Sequence, residues 1–259
     1  MCYDTLSLIK RSLDYAKRVA YSDETIEELE SQFERFKEAQ QPLFHVSGFE
    51  HPVLPVLSQD HPQELQGFLW GLIPFWVKTK DQAMSMWNKT LNARAETLFS
   101  KPAYRAAARR RRCIVITDGF YEHHHFQKKT YPFLIRHRDE RPMLLAGIYE
   151  RWEEPGIGRI LQSLSIVTTE ANDLLATIHN NPRMKGPRMP VIFDDRQARN
   201  WLENHDDPRE LSALLIPFPS DDLGAYPVAT LRGKNGVGNR PDALEKVDYP
   251  ELPETLKEF

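Results

Sequence analysis

Cysteine is scarce in this chain, because Cys2 and Cys113 are its only cysteines among 259 residues. Two cysteines cannot form a disulfide framework, which is typical of a protein from a reducing compartment. Long apolar runs are also absent, and none approaches the roughly 20 residues that a membrane-spanning helix needs. The start of the chain lacks a basic segment followed by an apolar one, so it does not resemble a secretion signal. We therefore expect a cytoplasmic protein without a membrane segment.

A large net charge of one sign is missing as well, since the formal net charge is −3. This value argues against a protein that coats nucleic acid by bulk electrostatics. The distribution is more informative, because residues 101–141 are rich in basic side chains. These are Lys101, Arg105, Arg109, Arg110, Arg111, Arg112, Lys128, Lys129, Arg136, Arg138 and Arg141. Two interpretations stay open: a local basic face that holds a phosphate backbone, or a solvated helix end at Arg109–Arg112.

The hydrophobic pattern predicts both helices and strands. Helices are predicted at 5–40, as two consecutive helices, and at 92–112, 170–179 and 196–202. Strands are predicted at 113–125, 131–135, 143–149 and 163–168, after a proline-rich strand-and-loop stretch at 41–74. Because these elements do not alternate in a regular βαβ order, the sequence predicts an α+β fold rather than a doubly wound sheet. The acidic residues 236–259 are predicted to form a partly disordered tail.

Cys2 is the most informative residue because of its position beside the initiator Met1. If Met1 is removed, Cys2 carries a thiol and a free α-amine, whose ordinary pKa values are about 8.5 and about 7.7–8.0. Such a 1,2-aminothiol condenses with an aldehyde to an imine and then closes to a thiazolidine ring. The alternative is that a cysteine at this position is an accident of sequence.

Three further segments combine polar side chains with apolar or turn-forming surroundings. If residues 92–97 are helical, Asn92 and Glu96 share one face of the helix. Glu122 follows an aromatic pair, so it is either a strand-end surface residue or a carboxyl group against an apolar wall, where its pKa would rise. His179 leaves a helix before a proline-bounded loop, so it is either a general acid or base or a capping residue.

Together, and in this order, these segments resemble the SOS-response-associated peptidase (SRAP) family of abasic-site-processing proteins. The motifs that carry the resemblance are Met1-Cys2, Trp70-Gly-Leu-Ile-Pro74-Phe-Trp76, Asn92-Ala-Arg94-Ala-Glu96-Thr97, Arg112-Cys-Ile-Val-Ile-Thr-Asp118-Gly119-Phe120-Tyr121-Glu122, Leu145-Ala-Gly147-Ile-Tyr-Glu150, Thr168-Thr-Glu170-Ala171-Asn172, His179 and Arg188-Met-Pro190. They cover roughly residues 40–230 and the extreme N-terminus. Several motifs in one order are far more specific than a single pattern.

The resemblance implies a single domain at 1–235 with a mainly antiparallel twisted sheet or half-open β-barrel and peripheral helices. It implies that the protein recognises an abasic site in single-stranded DNA and traps the sugar aldehyde as a thiazolidine DNA–protein crosslink. It also implies self-removal of Met1, DNA lyase activity, a monomeric state, no metal or cofactor, and association with the nucleoid when DNA is bound.

Carried over to this sequence, the resemblance assigns four residues to the reaction. Cys2 is the expected nucleophile, and Asn92 is expected to hydrogen-bond near the reacting amine and the sugar. Glu122 is expected to move the proton during imine formation and ring closure. His179 is expected to transfer protons at the deoxyribose, including during ring opening and reversal of the crosslink.

Five further residues are expected to contact DNA. Arg94, Arg112 and Arg188 are predicted to hold the DNA strand through its phosphates. For Trp70 and Trp76, on a proline-stiffened loop, stacking on bases and packing in the core are equally open interpretations.

The sequence departs from the family pattern in three places. Family members commonly begin Met-Cys-Gly-Arg, but this chain has Tyr3 and Asp4, so an expected cation is replaced by an acid. His123 stands where the family usually has an aromatic residue, and it opens the run His123–His125. Consecutive strand residues point to opposite faces, so the three rings cannot jointly chelate one ion, and we interpret them as surface residues. Residues 181–187 look like an insertion between His179 and Arg188.

Two other function classes remain as hypotheses. One is an N-terminal-cysteine hydrolase or peptidase in which Cys2 and His179 act on an amide. That reaction needs a preformed oxyanion hole, which no sequence motif here identifies. The other is a non-catalytic interaction module in which the cysteine is incidental.

Overall fold

The computed structural model describes residues 3–7, 42–203, 207–257 and 259. Within these residues, strands β1 to β13 are Asp4–Ser7, Leu43–Ser47, Val53–Ser58, Leu65–Trp70, Asn92–Arg94, Arg112–Thr117, Gly119–Phe126, Lys129–His137, Met143–Glu153, Ile160–Glu170, Arg188–Pro190, Ile192–Phe193 and Leu223–Pro227. Helices α1 to α5 are Lys80–Trp87, Arg105–Arg110, Asp173–Ile178, Asp195–Leu202 and Pro208–Ala213. None of the helices in this part of the chain has the length and apolar character that crossing a membrane requires.

The strands form two sheets. The first has the order β13-β8-β7-β1-β2, and the second has the order β11-β10-β4-β3-β6-β9-β12, with β5 paired to β10. Neighbouring strands are antiparallel except where β10 pairs with β4 and β5. The predicted α+β class with mainly antiparallel sheets is therefore confirmed.

The main core lies between the two sheets, because side chains of consecutive strand residues point to opposite faces. Val115 of β6 packs there with Phe120 and Phe133 of the first sheet. Its neighbours Ile114 and Ile116 face the other way and pack in a second cluster with residues of α2, α4 and α5. Burial on both faces explains why β6 reads as a continuous apolar run.

β1 lies inside the first sheet, between β2 and β7. Its register with β7 pairs Leu6 with Gly119, Thr5 with Phe120 and Asp4 with Tyr121. The predicted helix from residue 5 is therefore wrong for residues 5–7, because pairing with two strands outweighs their helical spacing. The rest of that prediction, residues 8–40, lies outside the described residues.

Residues 92–112 differ from the predicted helix. Asn92–Arg94 is strand β5, Ala95–Thr97 is a short 3-10 helix, and α2 is confined to Arg105–Arg110. β5 is extended because it pairs in parallel with β10, Ile166 opposite Asn92 and Thr168 opposite Arg94. Helix propensity is a weak preference that such tertiary pairing overrides.

The other predicted elements are present. β6 and β7 form the predicted strand region 113–125, and β8, β9 and β10 contain the next three predicted strands. α3 lies within the predicted helix 170–179, and α4 overlaps the predicted helix 196–202.

Described residues of the C-terminal tail at 236–259, for which partial disorder is predicted, pack on the body of the protein. Leu252 and Leu256 are buried, and the ring of Phe259 lies 6.4 Å from that of Phe133.

Candidate active site

Glu122 lies on β7 and is buried, with 7% of its surface exposed. Its Oε1 accepts a hydrogen bond from the backbone nitrogen of His123 at 3.2 Å. Burial raises the pKa of the Glu122 carboxyl above its ordinary value, because a charged carboxylate is disfavoured in apolar surroundings. The structure therefore excludes an exposed strand-end position for Glu122 and shows a buried carboxyl.

His179 directly follows α3, where its backbone nitrogen donates to the carbonyl of Leu175 at 2.8 Å. Its Nδ1 lies 3.0 Å from the carbonyl oxygen of Arg188 and 3.3 Å from Oε2 of Glu122. Burial lowers the pKa of His179 to about 4, so the ring is neutral at neutral pH. A carbonyl oxygen only accepts, so the 3.0 Å contact favours a proton on Nδ1 and a lone pair on Nε2. The backbone nitrogen of Arg188 also approaches Nδ1, at 3.4 Å, but this longer contact requires the other tautomer.

Two residues that the sequence did not single out for this purpose hold α3 against β7. Nδ1 of His124 lies 3.0 Å from the carbonyl oxygen of Thr177, at the end of the helix. Asn180 accepts a hydrogen bond from the backbone of His125 at 2.7 Å and donates one back to it at 2.9 Å. These contacts explain why Glu122 and His179, which are far apart in sequence, meet.

The interpretation of His123–His125 as surface residues is wrong for His124. Its side chain is buried with 5% exposed, and burial lowers its pKa. Alternation along the strand places His124 on the same face of β7 as Glu122. Within the described residues, no group of three or more His, Cys, Asp or Glu side chains is arranged to hold a metal ion.

Arg188 is buried between β10 and Glu96. Its two terminal nitrogens each lie 2.9 Å from a different carboxylate oxygen of Glu96, which is a bidentate ion pair. The guanidinium also donates to the carbonyl of Thr168 at 2.8 Å. Burial raises the pKa of Glu96, but the hydrogen bonds from Arg188 outweigh it and hold the pKa below the ordinary value. A phosphate at Arg188 would therefore have to share the guanidinium with Glu96.

Asn92 and Arg94 both lie on β5 and are half-buried. The backbone carbonyl of Asn92 accepts a hydrogen bond from the hydroxyl of Tyr104 at 3.3 Å. Arg94 lines a cleft of about 290 Å³ together with Lys185 and Arg188. The structure therefore brings Arg94 beside Arg188, which in turn contacts His179.

The structure decides between the two interpretations of Trp70 and contradicts the predicted DNA contact of Arg112. Trp70 is completely buried, and its indole nitrogen donates to the carbonyl of Leu91 at 2.9 Å, so it packs in the core. Arg112 is also completely buried. Its guanidinium donates to the carbonyls of Trp201 and Glu203, both at 2.6 Å, because buried cations need such partners. Neither side chain is exposed to solvent.

Trp76 is different, because 43% of it is exposed, and its neighbour Phe75 is 57% exposed. Both rings line a cleft of about 460 Å³ with Arg105. The guanidinium of Arg111 lies 5.9 Å from the centre of the Phe75 ring. Exposed aromatics next to arginines are the combination that binds bases and phosphates of single strands. Sequence reasoning missed Phe75, although it stands beside Trp76 in the same motif.

Cys2 lies outside the described residues, so the structure does not test its position. The first described residue is Tyr3, whose carbonyl accepts a hydrogen bond from the backbone nitrogen of Gly48 at 2.8 Å. The second cysteine, Cys113, is completely buried, and burial raises the pKa of its thiol. Because the thiolate is the reactive form, Cys113 is a structural cysteine.

Comparisons with known proteins agree on one family. A family model described as SOS response associated peptidase (SRAP) matches residues 14–234. The chain is 33% identical over 206 residues to the abasic site processing protein YoqW of Bacillus subtilis, covering 79% of this chain and 86% of that protein. It is 31% identical over 235 residues to the abasic site processing protein HMCES of Gallus gallus, covering 80% of this chain and 66% of that protein.

Solved structures share the fold. A protein of Bacteroides thetaiotaomicron superposes with a TM-score of 0.81 at 30% identity, covering 95% of this chain and 100% of its own. A protein of Bordetella bronchiseptica superposes with a TM-score of 0.70 at 23% identity, covering 88% of this chain and 99% of its own.

Proposed function

The chain belongs to the SOS response associated peptidase family, and from this premise we propose that it processes abasic sites in single-stranded DNA by trapping the sugar aldehyde on Cys2. The proposal is supported by relatives named abasic site processing proteins. The observation on which the proposal depends is the buried pair Glu122 and His179, whose atoms Oε2 and Nδ1 lie 3.3 Å apart. Glu122 lies on β7, the strand that pairs with β1.

The reaction uses the terminal 1,2-aminothiol, so Met1 must first be removed, and we propose that the protein does this itself. The amine of Cys2 adds to the aldehyde carbon of the open sugar to give a carbinolamine. This intermediate loses one water to form an imine. The thiol then adds across the imine, its sulfur to carbon and its proton to nitrogen, which closes the thiazolidine. One water is released overall, and no oxidant, reductant or metal is consumed.

The two buried groups supply complementary proton transfers. Because burial raises the pKa of Glu122, its carboxyl holds a proton up to a higher pH than an ordinary glutamate, which suits it to donate one to the departing carbinolamine hydroxyl. Because burial lowers the pKa of His179 to about 4, its imidazole stays neutral and can accept a proton at Nε2. Two adjacent titratable groups whose pKa values shift in opposite directions are typical of an acid and base pair.

The position of β1 supports the delivery of Cys2 to these groups. Leu6, Thr5 and Asp4 pair in turn with Gly119, Phe120 and Tyr121, so the strand advances towards Glu122 as the chain is followed back to its start. The Cα atom of Cys2 is covalently held about 3.8 Å from that of Tyr3. Holding the reacting groups together in this way gives the rate advantage of an intramolecular reaction.

The remaining predicted contacts complete the proposal. Arg94 and Arg188 line one cleft and would hold phosphates beside the lesion, with Arg188 sharing its charge with Glu96. Asn92, on the same strand as Arg94, would hydrogen-bond the amine or sugar. Trp76 would stack on a neighbouring base.

The test is covalent trapping on a single-stranded oligonucleotide with one abasic site. Wild type is expected to form an adduct that survives heat and SDS, with a mass equal to protein lacking Met1 plus DNA minus one water. Cys2→Ala is expected to form none of this thiazolidine. The matched control is Cys113→Ser, which changes the buried cysteine and should crosslink like wild type, since Cys113 is inert. Glu122→Gln is expected to slow adduct formation by about 10²-fold, because it removes the proton donor.

Crosslinking of Cys2→Ala at the wild-type rate, or functional protein that still carries Met1, would refute the aminothiol mechanism. An oligonucleotide with a tetrahydrofuran residue, which has no aldehyde, must give no adduct. If Glu122→Gln reacts as fast as wild type while the mass assigns Cys2, the nucleophile stands and the role of Glu122 is wrong.

A further inference from the structure

Asp4 is buried beside the reaction site rather than facing the solvent, with 3% of its surface exposed. Its Oδ1 lies 2.9 Å from Nε2 of His45 and also contacts Nη2 of Arg232. Burial raises the pKa of Asp4, but the hydrogen bonds from His45 and Arg232 outweigh it, so the pKa lies below the ordinary value. Asp4 is therefore a partnered carboxylate, and it does not place negative charge on the edge where family members carry an arginine.

Arg232 keeps much of its surface open, because its side chain is 46% exposed although it contacts Asp4. It belongs to residues 230–240, which contain three basic residues and no acidic residue. The other two basic residues are Lys234 and Arg240. We call residues 230–240 the basic loop.

The basic loop is folded on itself. The backbone nitrogen of Val237 donates to the carbonyl of Thr230 at 2.8 Å, and that of Gly238 donates to the carbonyl of Leu231 at 3.0 Å. A Cβ atom at Gly236 would lie 2.5–2.6 Å from backbone atoms of Arg232, so only glycine allows the two arms of the loop to approach this closely. Arg232 is thus presented from a compact loop rather than from a flexible one.

The basic loop is also fixed to strands β1, β2 and β7. Leu231 is buried and packs in a cluster with Leu6 of β1 and Tyr121 of β7. Asn239 accepts a hydrogen bond from the backbone nitrogen of Phe44 on β2 at 2.7 Å. Contacts with all three strands hold the loop beside the position from which Cys2 extends.

We infer that the basic loop binds a backbone phosphate of the single-stranded DNA next to the lesion, with Arg232 as the contact and Asp4 as its positioning residue. This inference rests on the proposed function and names a new contact residue for the same site. A guanidinium has five donors in a planar fork, so it can contact Asp4 with one nitrogen and offer others to phosphate oxygens. The guanidinium of Arg232 then offers phosphate donors at the edge of the site where family members commonly carry an arginine at position 4.

The experiment measures equilibrium binding to a single-stranded oligonucleotide with a tetrahydrofuran residue, which binds without reacting. Arg232→Ala alone would leave the buried carboxylate of Asp4 without its guanidinium partner. We therefore combine Arg232→Gln with Asp4→Asn, which removes both charges of the pair, and use Asp4→Asn alone as the reference. We expect this double variant to bind about tenfold more weakly than Asp4→Asn alone. The slope of log K against log salt should fall in magnitude by about 0.7, the value for one phosphate contact on a single strand.

The matched control is Arg240→Ala, because Arg240 is an exposed cation of the same loop whose side chain contacts Val237 and Asp242 rather than a residue of β1. It is expected to change affinity by less than twofold. Equal affinity and equal salt slope in Asp4→Asn and in the double variant would overturn the inference. The readout is separate from the proposed function, because the salt slope is measured without an aldehyde. The covalent proposal fails instead if wild type forms no adduct with the true abasic site.

Discussion

His137 is buried beside Phe218, whose ring it meets edge-on at a centroid distance of 5.3 Å. Burial lowers the pKa of His137 to about 4, the same direction and extent as for His179 in the candidate site. The unfolded chain has the ordinary histidine pKa of 6.5. Between these two values the unfolded state binds a proton that the folded state does not, so the free energy of unfolding falls as the pH falls.

This argument predicts the pH dependence of His137→Gln. The contribution of neutral, buried His137 to the free energy of unfolding is fully present above pH 6.5 and is lost as the pH falls towards about 4. A shift of this size corresponds to a loss of about 3 kcal/mol in the free energy of unfolding. The variant His137→Gln has no titrating ring at this position, so its free energy of unfolding should fall less steeply as the pH falls. The slopes of wild type and variant should differ by up to about 1.4 kcal/mol per pH unit. Urea denaturation at several pH values between 7 and 4.5 measures both slopes.

The control is His61→Gln, whose parent side chain is about half exposed. It retains His137 and should keep the steep wild-type dependence. Parallel stability curves for wild type and His137→Gln would show that His137 accepts its proton as readily in the folded protein as in the unfolded chain.

Strand β1 is four residues long, and a buried hydroxyl pair ties it to the end of β6. The hydroxyls of Thr5 and Thr117 lie 2.8 Å apart. Oγ1 of Thr117 also contacts the carbonyl oxygens of Leu6 at 2.6 Å and of Gly119 at 2.7 Å. Such a short strand therefore depends on a side-chain network at its junction with β6 and β7.

We predict that Thr117→Val destabilises the protein by about 1–3 kcal/mol, although valine has nearly the same shape. The change removes the hydroxyl and leaves its buried partners with one hydrogen bond fewer, which costs more than a neutral exchange on the surface. The midpoint of urea denaturation measures the change. Thr130→Val is the control, because the hydroxyl of Thr130 lies in an exposed contact with His125 at 3.4 Å. Equal effects of the two substitutions would contradict the role given to the network.

The elements that could be predicted from the sequence are those whose signal is local. β6 to β10 were predicted because β-branched and apolar runs are typical of strands buried on one or both faces. β5 was predicted as a helix, because Asn92–Thr97 has good helix formers and nothing local reveals the edge of β10 beside it. β1 was missed for the same reason, since its two neighbours come from residues 43–47 and 119–126.

The candidate site shows the same limit. Glu122 and His179 were predicted from their motifs, and the structure places them 3.3 Å apart, while their roles in the reaction stay predictions. The supports of this pair could not be predicted, because His124 and Asn180 act through contacts between β7 and the end of α3. The burial of Trp70 and Arg112 could not be predicted either, because a motif does not tell which of its side chains point inwards.

On the scale of the whole molecule, a formal net charge of −3 coexists with a local surface of exposed aromatic side chains and arginines. Phe75 and Trp76 are exposed beside Arg105 and Arg111. An acidic body repels DNA as a whole and leaves binding to such local surfaces, so encounter should be weak and salt-sensitive. A covalent adduct, once formed, has no such sensitivity.

We predict that Trp76→Ala weakens binding of an undamaged single-stranded oligonucleotide by roughly 5- to 150-fold, which corresponds to about 1–3 kcal/mol for the loss of one stacked base. Fluorescence anisotropy at fixed salt measures the affinity. The control is Met84→Ala on α1, because Met84 is an exposed apolar residue, 52% accessible, that does not line the aromatic cleft. Unchanged affinity in Trp76→Ala, or an equal loss in Met84→Ala, would remove Trp76 from the DNA contacts.

The complete burial of Cys113 has a practical consequence for the folded protein. A maleimide or iodoacetamide dye added without denaturant cannot reach this sulfur, whereas a denatured sample exposes it. The difference in dye incorporated between the two samples therefore counts buried sulfur. Any dye bound by the native sample must therefore sit on the other cysteine of the sequence, so one labelling step measures how accessible that thiol is.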